Sequence, residues 1–208
     1  MLPRVIPIFP LPNVVLFPNV FLPLHVFEPR YREMTEEALA GDRLIGMTLL
    51  RPGWKEAYEG RPAVFDVGCA GVITHAERLP DGRFNIVLRG LAKFRITGER
   101  PGRTFRVAEV DSLPEAVSPI DRAALRGTRE RLEALLVATV ERSDSRFPAP
   151  MPDEDLVNAL CQYLPLEPIE RQALLEQPGV PARSRALIDL LEMRALTAAK
   201  DWKAAGTH

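Results

Sequence analysis

The sequence is poor in the residues from which metal centres and redox sites are built. Its 208 residues contain two cysteines, Cys69 and Cys161, and three histidines. The cysteines are far apart, each stands in an apolar setting, and there is no Cys-x-x-Cys pair. Buried free thiols are therefore favoured over a disulfide, and a zinc ribbon is excluded. No second histidine or cysteine lies at ligand spacing from His25, which favours a structural role for that residue. We predict no metal ion and no cofactor.

Motifs of enzyme chemistry are also missing. The 208 residues contain no GxxxxGK[ST] phosphate-binding loop and no Gly-x-Ser-x-Gly nucleophile elbow. Ser143, Asp144 and Ser145 resemble a nucleophilic site in composition alone, because no histidine or lysine is near them in the sequence. Polar residues in such a segment more often cap helices or form turns. We assign no catalytic residue and expect a protein that is not an enzyme.

The chain lacks a long uninterrupted apolar run. Residues 1–30 are rich in large apolar side chains, but seven prolines interrupt them. A membrane-spanning helix needs about 20 consecutive apolar residues, and a secretory signal needs a basic segment followed by one clean apolar run. Neither pattern is present, which predicts a cytoplasmic protein with no membrane partner. The net charge of −1 provides no overall field that would attract nucleic acid or anionic lipid.

Turn signals and period-two patterns in the amino-terminal half predict several short strands. Prolines divide residues 4–27 into two or three strands that must lie at edges or bends, because proline cannot donate to a β-ladder. Asp81-Gly82 is typical of a hairpin turn, and Gly90 can reset the strand phase through a bulge. Further strands are predicted over 43–50, 64–79, 84–96 and 104–110, and a long loop over 51–62. This pattern favours a small closed or half-closed barrel.

Helical periodicity predicts one helix within the strand region and four after it. Pro29 suits the first position of a helix over 28–40, and Gly41 is placed to end it in a left-handed conformation. The later helices are expected over 118–142, 153–164, 167–177 and 181–203. We therefore predict two domains, a β domain over 1–113 and an α-helical domain over 114–208.

Several ordered motifs carry a resemblance to a known family. They are Ile6–Leu11, Val15–Pro18, Leu22–Tyr31, Asp66–Ile73, Leu79–Arg83, Val87–Ile96, Leu164–Leu166 and Arg171–Glu176. In this order and spacing they resemble the Lon N-terminal domain family, the substrate-recognition domain at the front of ATP-dependent Lon proteases. Each motif alone is weak, whereas the set covers nearly the whole chain.

The resemblance implies an α+β fold, in which a bent, PUA-like β-barrel domain with one helix precedes a helical bundle. It also implies a non-catalytic module that recognises exposed hydrophobic segments of unfolded or damaged polypeptides. Such a module would serve protein quality control or proteolysis, with a protease or a chaperone as a further partner. The Ser-Lys proteolytic domain of the Lon proteases has no match in these 208 residues.

Two segments are candidate contact sites for a polypeptide. Trp54 and Tyr58 lie in the loop over 51–62, and both are amphipathic side chains of the type enriched at binding hot spots. Phe147 and Met151 lie in the connection between two predicted helices and would add an adaptable apolar contact. For each segment the alternative is ordinary core packing, with Trp54 closing the end of the barrel.

A basic strand face offers a different function. Arg83, Arg89, Lys93 and Arg95 belong to the predicted hairpin and its neighbouring strands, and PUA-like barrels often bind RNA, so an RNA-binding face is the alternative hypothesis. Against it stand the acidic residues on the neighbouring strands, the balanced net charge and the scarcity of aromatic residues for base stacking.

Overall fold

A computed structural model describes the backbone of residues 2–57, 60–139 and 151–205. It contains six strands, five α-helices and a short 3-10 helix at Trp54–Ala57. The strands are β1 Val5–Leu11, β2 Phe21–Val26, β3 Leu44–Leu49, β4 Val67–Arg78, β5 Phe84–Arg100 and β6 Arg106–Leu113. The helices are α1 Pro29–Ala40, α2 Pro119–Thr139, α3 Asp153–Tyr163, α4 Pro168–Leu175 and α5 Val180–Ala205. The predicted α+β class is confirmed.

Two compact units make up the chain. The first consists of Met1–Glu115 together with Asn158–Glu176, and the second of Ala116–Val157 together with Gln177–His208. The division therefore differs from a single cut at residue 113, because the end of α3 and all of α4 group with the strands. Whether 1–113 and 114–208 are independent domains stays a prediction.

The strands of the first unit form a near-barrel. Their order is β2-β5-β4-β3-β1-β6, and β5 also pairs with β6. Five strands consequently close a ring, and β2 is attached outside it along the first half of β5. The great length of β5 makes this possible: Phe84–Arg89 pair with β2, whereas Lys93–Arg100 pair with β6. Among the strand pairs of the described residues, only β1–β3 is parallel.

The barrel interior is filled by apolar side chains from alternating strand positions. Ile6 and Ile8 of β1, Ala70 of β4, Phe94 of β5, and Ala108 and Val110 of β6 form one buried cluster. Successive strand residues point to opposite faces, so these i, i+2 pairs place their side chains on the same side. A Cβ atom at Gly68 would lie 2.6 Å from the Phe94 ring, so glycine is needed there for the ring to occupy the centre.

Helix α1 begins as predicted and ends differently. Pro29 is in its first turn, where the missing N–H has no intrahelical partner to lose. Gly41 has φ −117° and ψ −131°, so the prediction that it takes the left-handed conformation is wrong. Arg43 has φ 60° instead, and its N–H donates to the carbonyl of Ala38 at 2.9 Å. The left-handed residue that turns the chain into β3 is therefore Arg43 and not Gly41.

The β4–β5 hairpin contains both the turn and the bulge that the sequence predicts. Gly82 has φ 79°, and the N–H of Leu79 donates to the carbonyl of Arg83. The pairing passes from Gly71–Gly90 to Ala70–Ala92, which leaves Leu91 as the extra residue of a bulge beside Gly90. The bulge bends β5 at the point where it leaves β2 and turns towards β6.

The helices carry recognisable start signals. Ser118 caps α2, since its Oγ accepts from the N–H of Asp121 while the Asp121 carboxylate accepts from Ser118. These bonds lower the pKa of Asp121, the Ser118 hydroxyl contributing most. Helix α4 opens with a capping box of Glu167 and Glu170. No helix in the described ranges is long and apolar enough to cross a membrane.

Candidate functional site

Strand β2 forms an open edge of the near-barrel. It pairs with β5, and no other strand of the described residues pairs with it. The N–H of Gly90 donates to the carbonyl of Val20, which fixes the phase of the ladder. Because bonded and non-bonded pairs alternate between antiparallel strands, Leu22 and Leu24 direct their backbone groups to β5. Phe21, Pro23 and His25 direct theirs to the open side.

Large aromatic side chains are exposed along this edge. Phe21 at the start of β2 is 50 % exposed, Phe27 just beyond its end is 59 % exposed, and Tyr163 at the end of α3 is 65 % exposed. We call these three residues the aromatic edge. The Tyr163 hydroxyl donates to the backbone carbonyl of Phe21 at 2.8 Å, so the first and the last of them are adjacent. Phe27 lies near the His25 ring, with 6.2 Å between centroids.

The turn that leads into β2 is held in place from both sides. The Gln162 side-chain oxygen accepts from the N–H of Phe17 at 3.3 Å, and the Asn158 side chain donates to the carbonyl of Pro18 at 3.1 Å. On the other side the carbonyl of Gly90 accepts from the N–H of Asn19. A Cβ atom at Gly90 would lie 2.0 Å from the Phe17 carbonyl oxygen, so this close approach requires glycine.

A chain of polar side chains borders the aromatic edge. The Arg83 guanidinium donates to Nε2 of His25 at 3.2 Å, and Nδ1 of His25 is 2.8 Å from the Asn85 side-chain oxygen. Because a guanidinium can only donate, these contacts suit the His25 tautomer in which Nε2 accepts and Nδ1 donates. Arg83 is itself paired with Asp81 at 2.6 Å. The backbone N–H of Arg83, followed by its guanidinium, lowers the pKa of the Asp81 carboxyl.

A cleft opens at one end of the barrel. Its volume is about 600 Å³, and we call it the barrel-end cleft. It is lined by Pro10, Glu28–Tyr31, Leu50, Gly60–Pro62 and Arg103–Arg106. These are the end of β1, the start of α1, the residue after β3, the last part of the long loop and the approach to β6. The cleft thus lies directly after the aromatic edge in the sequence, because Phe27 precedes Glu28.

Arginines dominate the polar lining of the cleft. Arg30 pairs with Glu28 at 2.9 Å and stacks over the Tyr31 ring at 4.7 Å. Arg106 binds both carboxylate oxygens of Glu99 and donates to the carbonyl of Pro62 at 2.7 Å. Arg61 is 3.6 Å from Glu99, and Arg103 is 3.0 Å from Glu37. Arg61 and Arg103 are about half exposed, so the cleft presents guanidinium groups to solvent.

Of the four polypeptide-contact residues predicted from the sequence, the structure describes Trp54 and Met151. Trp54 lies in the 3-10 helix and is partly buried, with the Lys55 ammonium 6.0 Å from its ring centre. Met151 is partly buried before α3, and its carbonyl accepts from Arg129 at 3.0 Å. Tyr58 and Phe147 lie outside the described residues. The role of all four stays a prediction.

Of the predicted RNA-binding residues, three are exposed and one is buried. Arg83, just before β5, and Arg89 and Arg95 within it are exposed. Lys93 is 3 % exposed, with its ammonium 2.9 Å from Glu115 and 3.0 Å from the carbonyl of Leu175. Its assignment to an exposed basic face is therefore wrong. Lys93 adjoins Phe94 of the barrel interior and so points to the opposite face of β5, where Glu115 and the end of α4 bury its ammonium group.

Sequence reasoning missed the aromatic edge. The apolar stretch over residues 4–27 is typical of core strands, and eight of its non-proline apolar residues are buried. A usable signal was Pro23. Proline cannot donate to a β-ladder, so Pro23 favours an edge position for the strand that also contains Phe21 and His25. No such signal exists for Tyr163, which is 142 residues from its partner Phe21.

Comparison with known proteins gives a consistent assignment. Residues 5–193 match the family described as the ATP-dependent protease La (LON) substrate-binding domain. The chain is 30 % identical to Lon protease 2 of Syntrophobacter fumaroxidans over 187 residues, covering 87 % of this chain and 23 % of that protein. It is 29 % identical to Lon protease of Roseiflexus castenholzii over 198 residues, covering 92 % and 24 %. The chain thus spans about a quarter of the length of these relatives.

Solved structures share the fold. The Lon N-terminal domain protein from Xanthomonas campestris superposes with a TM-score of 0.60 at 24 % identity, covering 90 % of this chain and 97 % of that one. The N-terminal domain of Mycobacterium avium complex Lon protease gives 0.67 at 19 % identity, covering 91 % and 98 %. Both matches extend over the barrel and the following helices. The chain belongs to the family of LON substrate-binding domains.

Proposed function

We propose that this protein is a non-catalytic module that captures exposed hydrophobic segments of unfolded or damaged polypeptides. The observation that carries the proposal is the aromatic edge, where Phe21, Phe27 and Tyr163 are each at least half exposed. Aromatic side chains have large contact areas and few rotatable bonds, which makes them effective binding anchors. Folded segments hide their apolar side chains, so such a surface would select unfolded chains.

The geometry of the edge favours recognition through side chains over the addition of a strand. A peptide strand that paired with β2 would need donors and acceptors on its open side. Pro23 has no N–H to donate, and the Phe21 carbonyl already accepts from Tyr163. Proline and covering side chains are common means of protecting sheet edges from pairing. Captured segments would therefore contact the rings while most of their backbone remains hydrated.

Family membership supports a role in delivering substrates for proteolysis. The proteins aligned with this chain are Lon proteases, and the matched family is described as substrate-binding. We propose that the captured polypeptide is presented to a protease or a chaperone, and that the chemistry takes place outside residues 1–208. Trp54, Tyr58, Phe147 and Met151 remain proposed secondary contacts.

A binding comparison tests the proposal. Fluorescence anisotropy would measure binding of one labelled model protein in its reduced, unfolded form and in its native form. We expect the unfolded form to bind and the native form not to bind. Phe21→Ala and Phe27→Ala should each weaken binding about tenfold, the effect of losing roughly 1.4 kcal/mol at a binding anchor.

Matched controls separate the edge from general hydrophobicity. Ile120→Ala removes an apolar side chain of α2 in the second unit that is even more exposed than Phe21 and Phe27, and it should leave affinity unchanged. Trp54→Ala tests the proposed secondary contact between Trp54 and the polypeptide. Equal binding of native and unfolded protein, or an unchanged affinity of both phenylalanine variants, would refute the proposal. Binding of single-stranded RNA that falls steeply with salt would favour the RNA alternative instead.

A further inference from the structure

We propose that the barrel-end cleft binds a carboxylate of the captured polypeptide, either an aspartate or glutamate side chain or the carboxyl terminus. The inference rests on the proposed function, because it assigns a second contact to the same bound segment. The substrate class then becomes an apolar segment that carries a negative charge beside its hydrophobic residues. Neither the aromatic edge nor the family description requires such a charge.

The size and walls of the cleft suit a side chain or a chain end. Its volume of about 600 Å³ is within the usual range of ligand sites, roughly 300–1,000 Å³. The inner walls are buried apolar groups, among them Tyr31, Leu50 and Phe105. Polar groups lie around them. A ligand that places methylene groups against the walls and a charge at the rim would match this arrangement.

The charge at the rim is positive. Arg30, Arg61, Arg103 and Arg106 line the cleft, and Glu28 is the carboxylate that lines it with them. Glu28 is paired with Arg30, so its charge is compensated within the cleft. The counter-charges of the other three arginines, Glu99 and Glu37, are not among the lining residues. A bound anion is therefore complementary to this lining, whereas a cation is not.

Two guanidinium groups have the geometry to receive that anion. The ion pairs of Arg61 and Arg103 each engage one terminal nitrogen, and Arg61 is held only loosely at 3.6 Å. A guanidinium has five N–H donors in a fork that matches a carboxylate in a bidentate manner. Arg106 plays a positioning part, because its bonds to Glu99 and Pro62 fix the wall beside Arg61.

The cleft and the aromatic edge adjoin one another in the sequence. Exposed Phe27 is followed at once by Glu28 and Pro29, which line the cleft. An extended chain advances about 3.3 Å per residue, so neighbouring residues of one bound segment can reach both sites. An apolar side chain would lie on Phe27 while a carboxylate one to three residues away enters the cleft.

A peptide series tests this specificity. The parent is an apolar peptide with aromatic and leucine side chains, one aspartate and a free carboxyl terminus. Replacement of aspartate by asparagine and amidation of the terminus, alone and together, distinguish the two sources of carboxylate. We expect removal of the active carboxylate to weaken binding by roughly five- to tenfold, as for a charge-assisted pair at a partly exposed site.

Arginine variants locate the effect. Arg61→Gln with Arg103→Gln should abolish the preference for the acidic peptide over the amidated, asparagine-containing peptide. Arg100→Gln is the matched control, since Arg100 is similarly exposed, pairs with Glu109 and does not line the cleft. Circular dichroism melts should show that all three proteins fold. The preference should also shrink between 50 and 500 mM salt, where exposed charges are screened.

The outcomes are distinct. Equal binding of all peptides to the wild-type chain, with Phe27→Ala still weakening it, would overturn the carboxylate site and leave the proposed function standing. A preference that survives in the double arginine variant would also overturn it. Binding of no peptide would overturn both proposals. Inorganic phosphate or RNA that binds the cleft while acidic peptides do not would assign the guanidinium groups to another anion and refute the inference.

Discussion

The hydroxyl of Tyr163 donates a 2.8 Å hydrogen bond to the backbone carbonyl of Phe21, which lies on the open side of β2. This contact joins the end of α3 to the edge strand and leaves both rings exposed. It therefore protects a backbone acceptor and assembles an apolar surface at the same place. The surface that we propose to bind polypeptide thus also protects the open edge of β2 from pairing with another strand.

Loss of the Tyr163 hydroxyl should uncover that edge. Tyr163→Phe keeps the ring but removes the donor, and we expect the free energy of unfolding to fall by about 0.5–1.5 kcal/mol. Urea unfolding measures this change, and Tyr163→Ala provides the comparison in which the ring is lost as well. A Phe variant as stable as the wild type would show that the hydrogen bond contributes nothing. Affinity for apolar segments should persist in the Phe variant and fall in the Ala variant.

Substitution of Gly90 should disturb the positioning of β2. A methyl group there would meet the Phe17 carbonyl at 2.0 Å, so Gly90→Ala must displace the 17–20 turn. We expect a loss of about 1–3 kcal/mol in the free energy of unfolding, the usual cost of overpacking. Gly127→Ala is the control, because a Cβ there meets nothing within 4 Å. Equal effects of the two substitutions would contradict the structure.

The buried ion pair of Lys93 should be costly to break. Lys93→Ala leaves Glu115 buried without its ammonium partner and the carbonyl of Leu175 without this donor. We expect a loss of about 3–5 kcal/mol, whereas Lys93→Met combined with Glu115→Leu should cost clearly less. Denaturant unfolding of the single and double variants measures the coupling. If the double variant is as unstable as the single one, the pair is not coupled as described.

The hairpin carboxylate Asp81 gives a pH prediction. Its pKa is lowered from the ordinary value of 3.8, first by the backbone N–H of Arg83 and then by the Arg83 guanidinium. A lowered folded-state pKa contributes stability that is complete above 3.8 and is lost as the pH falls through the lower folded value. Carboxyl NMR titration should therefore give a midpoint below 3.8. Arg83→Ala should retain part of the lowering, because the backbone donor remains; complete loss would assign the effect to the guanidinium.

Much of the fold follows from local sequence signals. Pro29 begins α1, Ser118 and Asp121 cap α2, and Asp81-Gly82 forms the hairpin turn, because each depends on residues within one turn of chain. The prediction for Gly41 fails because the local sequence does not decide its backbone conformation. A glycine permits the left-handed conformation but does not require it, and the path into β3 is set by Arg43.

The candidate site was harder to predict because exposure is a property of the assembled chain. Phe21 and Phe27 have the same apolar character as the buried Phe9 and Phe17. The local sequence around a phenylalanine in a short strand does not predict whether another segment will cover its side chain. Lys93 illustrates the converse, since a charged residue predicted for an exposed basic face is buried by contacts with Glu115 and the carbonyl of Leu175, which are distant in the sequence.

By itself the sequence determined the α+β class, the family, and the order of strands and helices, because periodicity, capping residues and proline positions act over a few residues. Only the tertiary structure decided that β2 remains outside the closed ring, that Tyr163 reaches Phe21 across 142 residues, and that four arginines meet around one cleft. These features depend on which distant segments pack together, and that choice is made by the burial of the whole core rather than by any local run of residues.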